Sequence, residues 1–526
     1  SCPEINVRIN CKILAMRKII YILLFPLLWG CDSILDVEPE NAITFTNFFK
    51  TEEDFNAMVF QMEGFFRYKQ FENEVMAYRG FLADQVNSSY YEDQRMLNQT
   101  SLLNSFSNSW ENHYDLIYVA NVILDNLYRA EGVPQDKLDF YAGQAYFVKG
   151  FVYFDLARKW GDAVITKNST DMGVYDKSSM LDVLDEAIKN TSEGYKLLPK
   201  YEDMPLLGVN TWVSKQYGCK GSCAALLAHL YAWKGSMIEL CGMEGDAKKC
   251  YEESIEWSTL LIEKKVGFYE LERTSEDVCT KAMKGMGASL ENILEFELDR
   301  FNDYPMAYFP GKSYMTWPVR GTETPGSVVT KTFVIKAETV KNLYENRDDR
   351  RDEYFYKLDS MSHDTMYKVN QGYAYVYKWR EVVYENVSWS PTPQVAYVDA
   401  NYSYWRLADI YLLRAECYAK LNDDLAKADL NKIRDRANAT PYPAPGESDI
   451  QLAIFKERER ELLFEGHRYF DIIRNGLEYI HTYMDGNYKT LDQQDVKEGA
   501  LFLPLYTDAF TLNDLIRQNI YWSRFE

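Results

Sequence analysis

Residues 455–476 read FKERERELLFEGHRYFDIIRNG, and how this stretch handles its charges decides the fold. Phe455, Leu462, Leu463, Tyr469, Ile472 and Ile473 recur near helical spacing, which predicts a helix with one buried stripe. Glu457, Glu461 and Glu465 step by four along one face, and Arg468, Asp471 and Arg474 continue it by three. Acid first and base later suits both neighbouring-turn pairing and the helix dipole, so these groups can satisfy one another where water is scarce. The bland alternative is a solvated charged face. Gly466, set beside bulky aromatics, argues instead for a close packing contact. Arg468 reads as the partner of a buried acid whose loss would destabilise the fold.

Just upstream, residues 405–420 and 424–437 form the clearest helical hairpin, joined by Leu421-Asn422-Asp423. Arg406, Arg414 and Glu416 are its polar members and read as internal pairings. Earlier segments repeat the pattern. Residues 51–70 open with a capping pattern, Thr51 then Asp54, and carry the first long helix. Residues 110–129 and 141–160 follow, the second pairing small residues with aromatics four apart so that helices can approach closely, and Gly161-Asp162 ends it. Residues 182–198 and 215–237 make another pair, and 251–264 begin a further helix. That texture resembles tetratricopeptide repeats, in which stacked helix pairs bury a shared core.

Residues 285–398 break this rhythm. They are rich in Tyr, Trp, Gly and Pro; residues 373–379 (YAYVYKW) alternate like a short strand, and residues 340–351 (VKNLYENRDDRR) are a helical interruption. Residues 80–100 also lose periodicity and place Tyr90 and Tyr91 among Asp84, Gln85, Asn87 and Asn98. Loops carried on a rigid frame are where binding residues concentrate. Aromatic faces stack on sugar rings or peptide side chains while amides and carboxylates hold polar edges. The candidate ligand-binding residues are therefore Tyr90, Tyr91, Tyr304, Tyr308, Tyr314 and Trp317, against the plainer reading of each as a core or partner-contact aromatic.

The segment 455–476, with its acid-arginine run, Glu465-Gly466, Arg468, Asp471 and Arg474-Asn475-Gly476, resembles the C-terminal signature of the SusD/RagB family of outer-membrane nutrient-binding lipoproteins. Tyr344, Asp348 and Arg350 resemble a second family element, and Leu503-Pro504 with Gln518-Asn519-Ile520-Tyr521 resemble its terminal endings. The resemblance runs from about Cys31 to Tyr521 and implies a mainly α SusD-like fold, outer-leaflet attachment and a partner, a TonB-dependent SusC-like transporter that receives glycans or peptides. It implies a structural role for the signature and identifies no ligand site.

The start of the chain reads as an address. Arg17 and Lys18 precede an apolar run from Ile19 to Leu28, too short to span a bilayer and suited to an export signal. Leu28-Trp29-Gly30-Cys31 resembles a lipobox, with Cys31 the lipidated residue that anchors the chain to a membrane; residues 1–15 precede Met16 and are set aside. The expected organisation is thus an upstream and signal segment over 1–30, a tether over 31–50, a helical region with repeat-like pairs over 51–284, an irregular aromatic-rich insertion over 285–398 and a C-terminal helical region over 399–526.

Composition narrows the function. With 58 basic and 79 acidic residues the net charge is −21, and no basic stripe is present to meet nucleic-acid phosphates. The same balance favours neutral or basic ligands over acidic ones. The 41 tyrosines suit recognition, offering a flat apolar face with a polar tip at low entropic cost. Only 5 histidines occur, and there is no His-Glu-x-x-His, glycine-flanked nucleophile serine or phosphate loop. Glu478-x-x-His481 is half of a di-iron pattern without a second copy, and Cys219 with Cys223 lacks a second ligand pair, so buried thiols or one disulfide are expected there. The chain reads as a binding protein with no cofactor, capturing oligosaccharides or polysaccharides. Peptide capture and a repeat scaffold that only bridges proteins are the alternatives.

Overall fold

The computed structural model describes residues 48–72, 103, 108–205, 214–285, 289–297, 318–319, 335–361, 372–484, 486–511 and 513–526. Its frame is a succession of antiparallel helices: α1 (Glu52–Glu72), α2 (Glu111–Asn126), α3 (Gln135–Trp160), α4 (Met180–Leu197), α5 (Lys220–Cys241) and α6 (Ala247–Ile262). Each packs on its neighbour in sequence. The chain later returns to this stack: α9 (Leu407–Lys420) lies against α6, α10 (Leu425–Arg436) folds back on α9, and α11 (Ile450–Glu461) packs on both.

The starts and stops follow local chemistry. Thr51 Oγ1 accepts from the Asp54 amide at 3.3 Å while Asp54 Oδ2 accepts from the Thr51 amide at 3.0 Å, a reciprocal cap that satisfies two orphan donors. Asp246 and Asp449 cap α6 and α11 in the same way from one side. Gly161 ends α3 with φ of 80°, and Asn422, at φ of 55°, turns the α9–α10 hairpin. Close packing of α3 on α4 needs Gly150, where a Cβ would meet Thr191 Oγ1 at 2.2 Å. Gly235 does the same for α5 on α6, with the Ala247 carbonyl 3.1 Å from its would-be Cβ. Small residues thus set the interhelical spacing, as the sequence texture predicts.

The irregular segment is tied to the frame by a long-range strand pair. β1 (Asn292–Glu297) runs antiparallel to β6 (Asn401–Arg406), with Glu295 opposite Ser403. Trp405 and Arg406, expected at the start of a helix, are therefore strand residues, and α9 begins only at Leu407. The other pairings among the described residues are β2 (Ile335–Lys336) with β3 (Tyr373–Ala374) and β4 (Val382–Glu385) with β5 (Gln394–Val398). Two short helices, α7 (Ala337–Leu343) and α8 (Asp349–Glu353), flank Tyr344.

The segment that opened the sequence reading is not one helix. α11 stops at Glu461, residues 462–466 turn, and α12 (Arg468–Arg474) starts afresh. Phe464 at φ of 66° and Gly466 at φ of 90° make that turn, and the glycine suits this backbone conformation. Six cysteines, Cys219, Cys223, Cys241, Cys250, Cys279 and Cys417, are free and buried; Cys219 Sγ caps α5 through the Ser222 amide. No helix among the described residues is long and apolar enough to cross a membrane.

Candidate functional site

The turn at 462–466 delivers the acidic residues into one buried cluster. Arg406, at the end of β6, donates to Glu291 at 2.7 Å, to Glu461 at 2.6 Å and through two nitrogens to Glu465 at 2.7 and 2.8 Å. Arg350 pairs with Asp348 at 2.7 Å, Glu457 at 2.7 Å and Glu461 at 3.1 Å. Arg436 reaches Glu291 at 3.1 Å and also pairs with Glu461. Lys378 binds Glu465 and donates to the Glu461 and Leu463 carbonyls at 3.1 Å. The Tyr344 hydroxyl donates to the Arg460 carbonyl at 2.7 Å. The pairs Arg406–Glu291, Arg436–Glu291, Arg350–Glu457, Arg350–Glu461 and Lys378–Glu465 join the irregular segment to the C-terminal region.

These charges hold one another in the ionised form. Burial would raise Glu461, yet the Arg436, Arg406 and Arg350 guanidinia keep its carboxyl well below the ordinary range. Glu457 is likewise opposed by burial and held at about 2 by Arg350, Arg460 and Arg434. A second string continues through Asp409, which accepts from Arg458 at 2.7 Å and meets His229 at 2.7 Å. Burial drives His467 down to about 4 despite Asp409 and Asp471 nearby. Arg406, Arg414 and Glu416 all have internal partners, the last two Asp429 and Arg474. Arg468 pairs at 3.4 Å with Glu459, an acid whose side chain is 7% exposed, and also stacks 4.5 Å from the centre of the Phe455 ring. The charges of this cluster are largely spent on one another, which gives it the character of a clamp.

The six candidate aromatics, Tyr90, Tyr91, Tyr304, Tyr308, Tyr314 and Trp317, lie outside the described residues, as does Cys31. What the frame does define is where their segments leave it. Phe66, near the end of α1, packs edge-on to Phe296, near the end of β1, at 5.2 Å. Residues 73–102 follow α1 and residues 298–317 follow β1, so both candidate-bearing stretches depart from neighbouring points. Lys215, just after residues 206–213, accepts from the Glu295 amide at 3.3 Å, which places a third departure beside them.

Beneath these departures the frame is polar. Lys215 Nζ donates to the Ser289 and Asn292 carbonyls at 2.6 and 2.7 Å, and Asn292 donates to Glu295 at 2.6 Å. Glu63 of α1 is 1% exposed, and its burial raises the carboxyl well above the ordinary value, with Arg67 only partly opposing. An acid with a raised native pKa is a penalty that grows as pH climbs above about 4.5 and is absent below it. Glu63→Gln is therefore expected to stabilise the fold by about 1–3 kcal/mol at pH 7. The gain should fade as urea titrations are repeated towards pH 4.

An open cleft of about 260 Å³ lies between α7 and the loop after α10 and reaches the edge of the buried charge cluster, walled by Lys341, Glu345 and Thr440 together with Asp348, Glu457 and Arg460. Among the described residues no group of three or more His, Cys, Asp or Glu side chains is placed to hold a metal ion.

Stacked helix pairs that spend their buried charges on clamping an irregular, aromatic-rich segment define a display frame. The chain belongs to the SusD/RagB family: a model described as "SusD family" matches residues 316–522, and one described as "Starch-binding associating with outer membrane" matches residues 33–213. It is 26% identical over 486 residues to "SusD-like protein P38" of Formosa agariphila, covering 85% of this chain and 88% of that one. It is 32% identical to "Starch-binding protein SusD" of Bacteroides thetaiotaomicron over 94 residues, 18% of this chain and 16% of that one. Among solved structures, a SusD homolog from Bacteroides thetaiotaomicron superposes with a TM-score of 0.71 at 20% identity, covering 90% of this chain and 99% of the other. NanU of Bacteroides fragilis does so at 0.68 and 17%, covering 92% and 99%. The expected mainly α, SusD-like fold is thus observed, and the family is described as associated with the outer membrane.

Proposed function

We propose that this chain is a cell-surface lipoprotein, anchored through Cys31 in the outer leaflet of a Gram-negative outer membrane, that captures oligosaccharides or polysaccharides and passes them to a TonB-dependent SusC-like transporter. The observation that carries the reading is the family membership spanning both ends of the chain, one of whose models is described as starch-binding. The shared departure point of the candidate-bearing stretches supports it, because Tyr90, Tyr91, Tyr304, Tyr308, Tyr314 and Trp317 can then serve a single ligand face. A few stacked rings give modest affinity with little geometric demand, which suits capture before hand-over, since a tightly held ligand would leave too slowly. The role is binding without turnover: the acids of the buried cluster, Glu457 and Glu461 among them, are already paired with guanidinia.

Affinity electrophoresis tests this. The full chain should be retarded by at least one neutral polysaccharide and leave it chemically intact. Retardation by none, together with retention on immobilised peptides, would move the ligand to the peptide class.

A further inference from the structure

Of the tryptophans among the described residues, Trp110, Trp160, Trp233, Trp379, Trp405 and Trp522 are buried, whereas Trp389 is 74% exposed. It stands in the loop 386–393 that joins β4 to β5, a two-stranded sheet among the described residues. An indole in open water forgoes much of the burial energy its size offers, so its place at a tip calls for a partner.

The tip is built to hold its shape. Ser390 Oγ donates to the Thr392 carbonyl at 2.9 Å, and Gln394 Nε2 donates to Ser390 Oγ at 2.8 Å and to the Thr392 carbonyl at 3.0 Å. Pro391 and Pro393 restrict the backbone between them. At the base, the Asp399 amide donates to the Glu381 carbonyl at 2.9 Å, and the Gly285 amide to the Asp399 carbonyl at 3.2 Å. The ring is therefore presented from a stiffened loop, at low entropic cost to a ligand. Around it stand small hydroxyls and an amide: Asn386, Ser388 and Thr392 are exposed.

We propose that the Trp389 tip is a stacking platform for a neutral sugar ring, the indole covering the ring's apolar face and the surrounding hydroxyl and amide groups meeting its edges. This deepens, and rests on, the glycan-capture reading. A protein partner fits less well, because one indole in a hydroxyl rim falls far short of the roughly 1,000 Å² that a specific interface buries. The net charge of −21 disfavours an acidic ligand.

The test uses the full chain, its Trp389→Ala and Trp389→Phe variants, and affinity gels containing amylopectin, xyloglucan, galactan or laminarin. With the polysaccharide that retards the parent protein, Trp389→Ala should bind about tenfold more weakly and Trp389→Phe should recover part of the loss, at unchanged melting temperature. The fluorescence difference between parent and Trp389→Phe, which reports this one indole, should shift to the blue on saturation. Parent-like binding by Trp389→Ala, or an unmoved difference spectrum, overturns the platform and leaves the capture reading standing. If none of the polysaccharides retards the parent, capture of neutral glycans fails and the platform with it.

Discussion

Arg406→Ala is expected to be the most damaging single substitution in the frame, lowering stability by about 3–5 kcal/mol as read from urea unfolding. The guanidinium sits at the end of β6, buried, and serves Glu291, Glu461 and Glu465 at once. Removing it takes one cation from each of three carboxylates around a gap in a water-poor interior, leaving Glu291 to Arg436, Glu461 to Arg350 and Arg436, and Glu465 to Lys378. The position also joins elements far apart in sequence, since its partners lie before β1 and around the turn after α11. Arg468→Ala is the internal comparison. It removes a ring-stacked guanidinium with Glu459 at 3.4 Å, and should cost appreciably less. Equal losses at the two positions would mean that the cluster does not clamp the irregular segment.

Acid should dismantle the same cluster. Glu457, Glu461 and Glu465 have native carboxyls held below the unfolded value, so their contribution is complete above about pH 4.5 and is lost as pH falls through the native values, near 2 for Glu457. For Glu457 alone the linkage amounts to about 3 kcal/mol at neutral pH. Unfolding followed by urea titration from pH 7 to pH 2 should show stability falling steeply below pH 4.5. Glu63 works in the opposite direction and blunts the fall, so Glu63→Gln should sharpen it. A stability that stays flat to pH 2 would contradict the ionised assignment of the cluster.

Much of the frame was legible because its signals are local. Helical spacing, the Thr51–Asp54 cap, the Asn422 turn and the glycines between α3 and α4 each act within a few residues. The β1–β6 pair was not legible: its partners are separated by the whole irregular segment, and Asn401–Arg406 alternates too briefly to be told from a helix start. The break at 462–466 was hidden for a different reason. Acids spaced by four look like one helical face, whereas Phe464 and Gly466 turn the chain so that Glu465 meets Lys378 and Arg406 from a new direction. That the charged run is buried could be suspected from Gly466 and its aromatics, but its partners Arg350, Lys378 and Arg436 come from other elements and only the fold brings them together. The proposed ligand-binding aromatics lie outside the described residues, and the frame shows only that Phe66 and Phe296, ahead of two of their stretches, meet.

The central claim is that the frame clamps and the aromatic stretches bind. Calorimetric titration of the Tyr304→Ala/Trp317→Ala double variant with the polysaccharide that retards the parent protein tests it most directly, with the melting temperature recorded on the same sample. The account predicts an affinity loss of about a hundredfold, one stacked ring being worth about tenfold, at an unchanged melting temperature. Parent-like affinity, or a loss that merely tracks a fall in melting temperature, would contradict it.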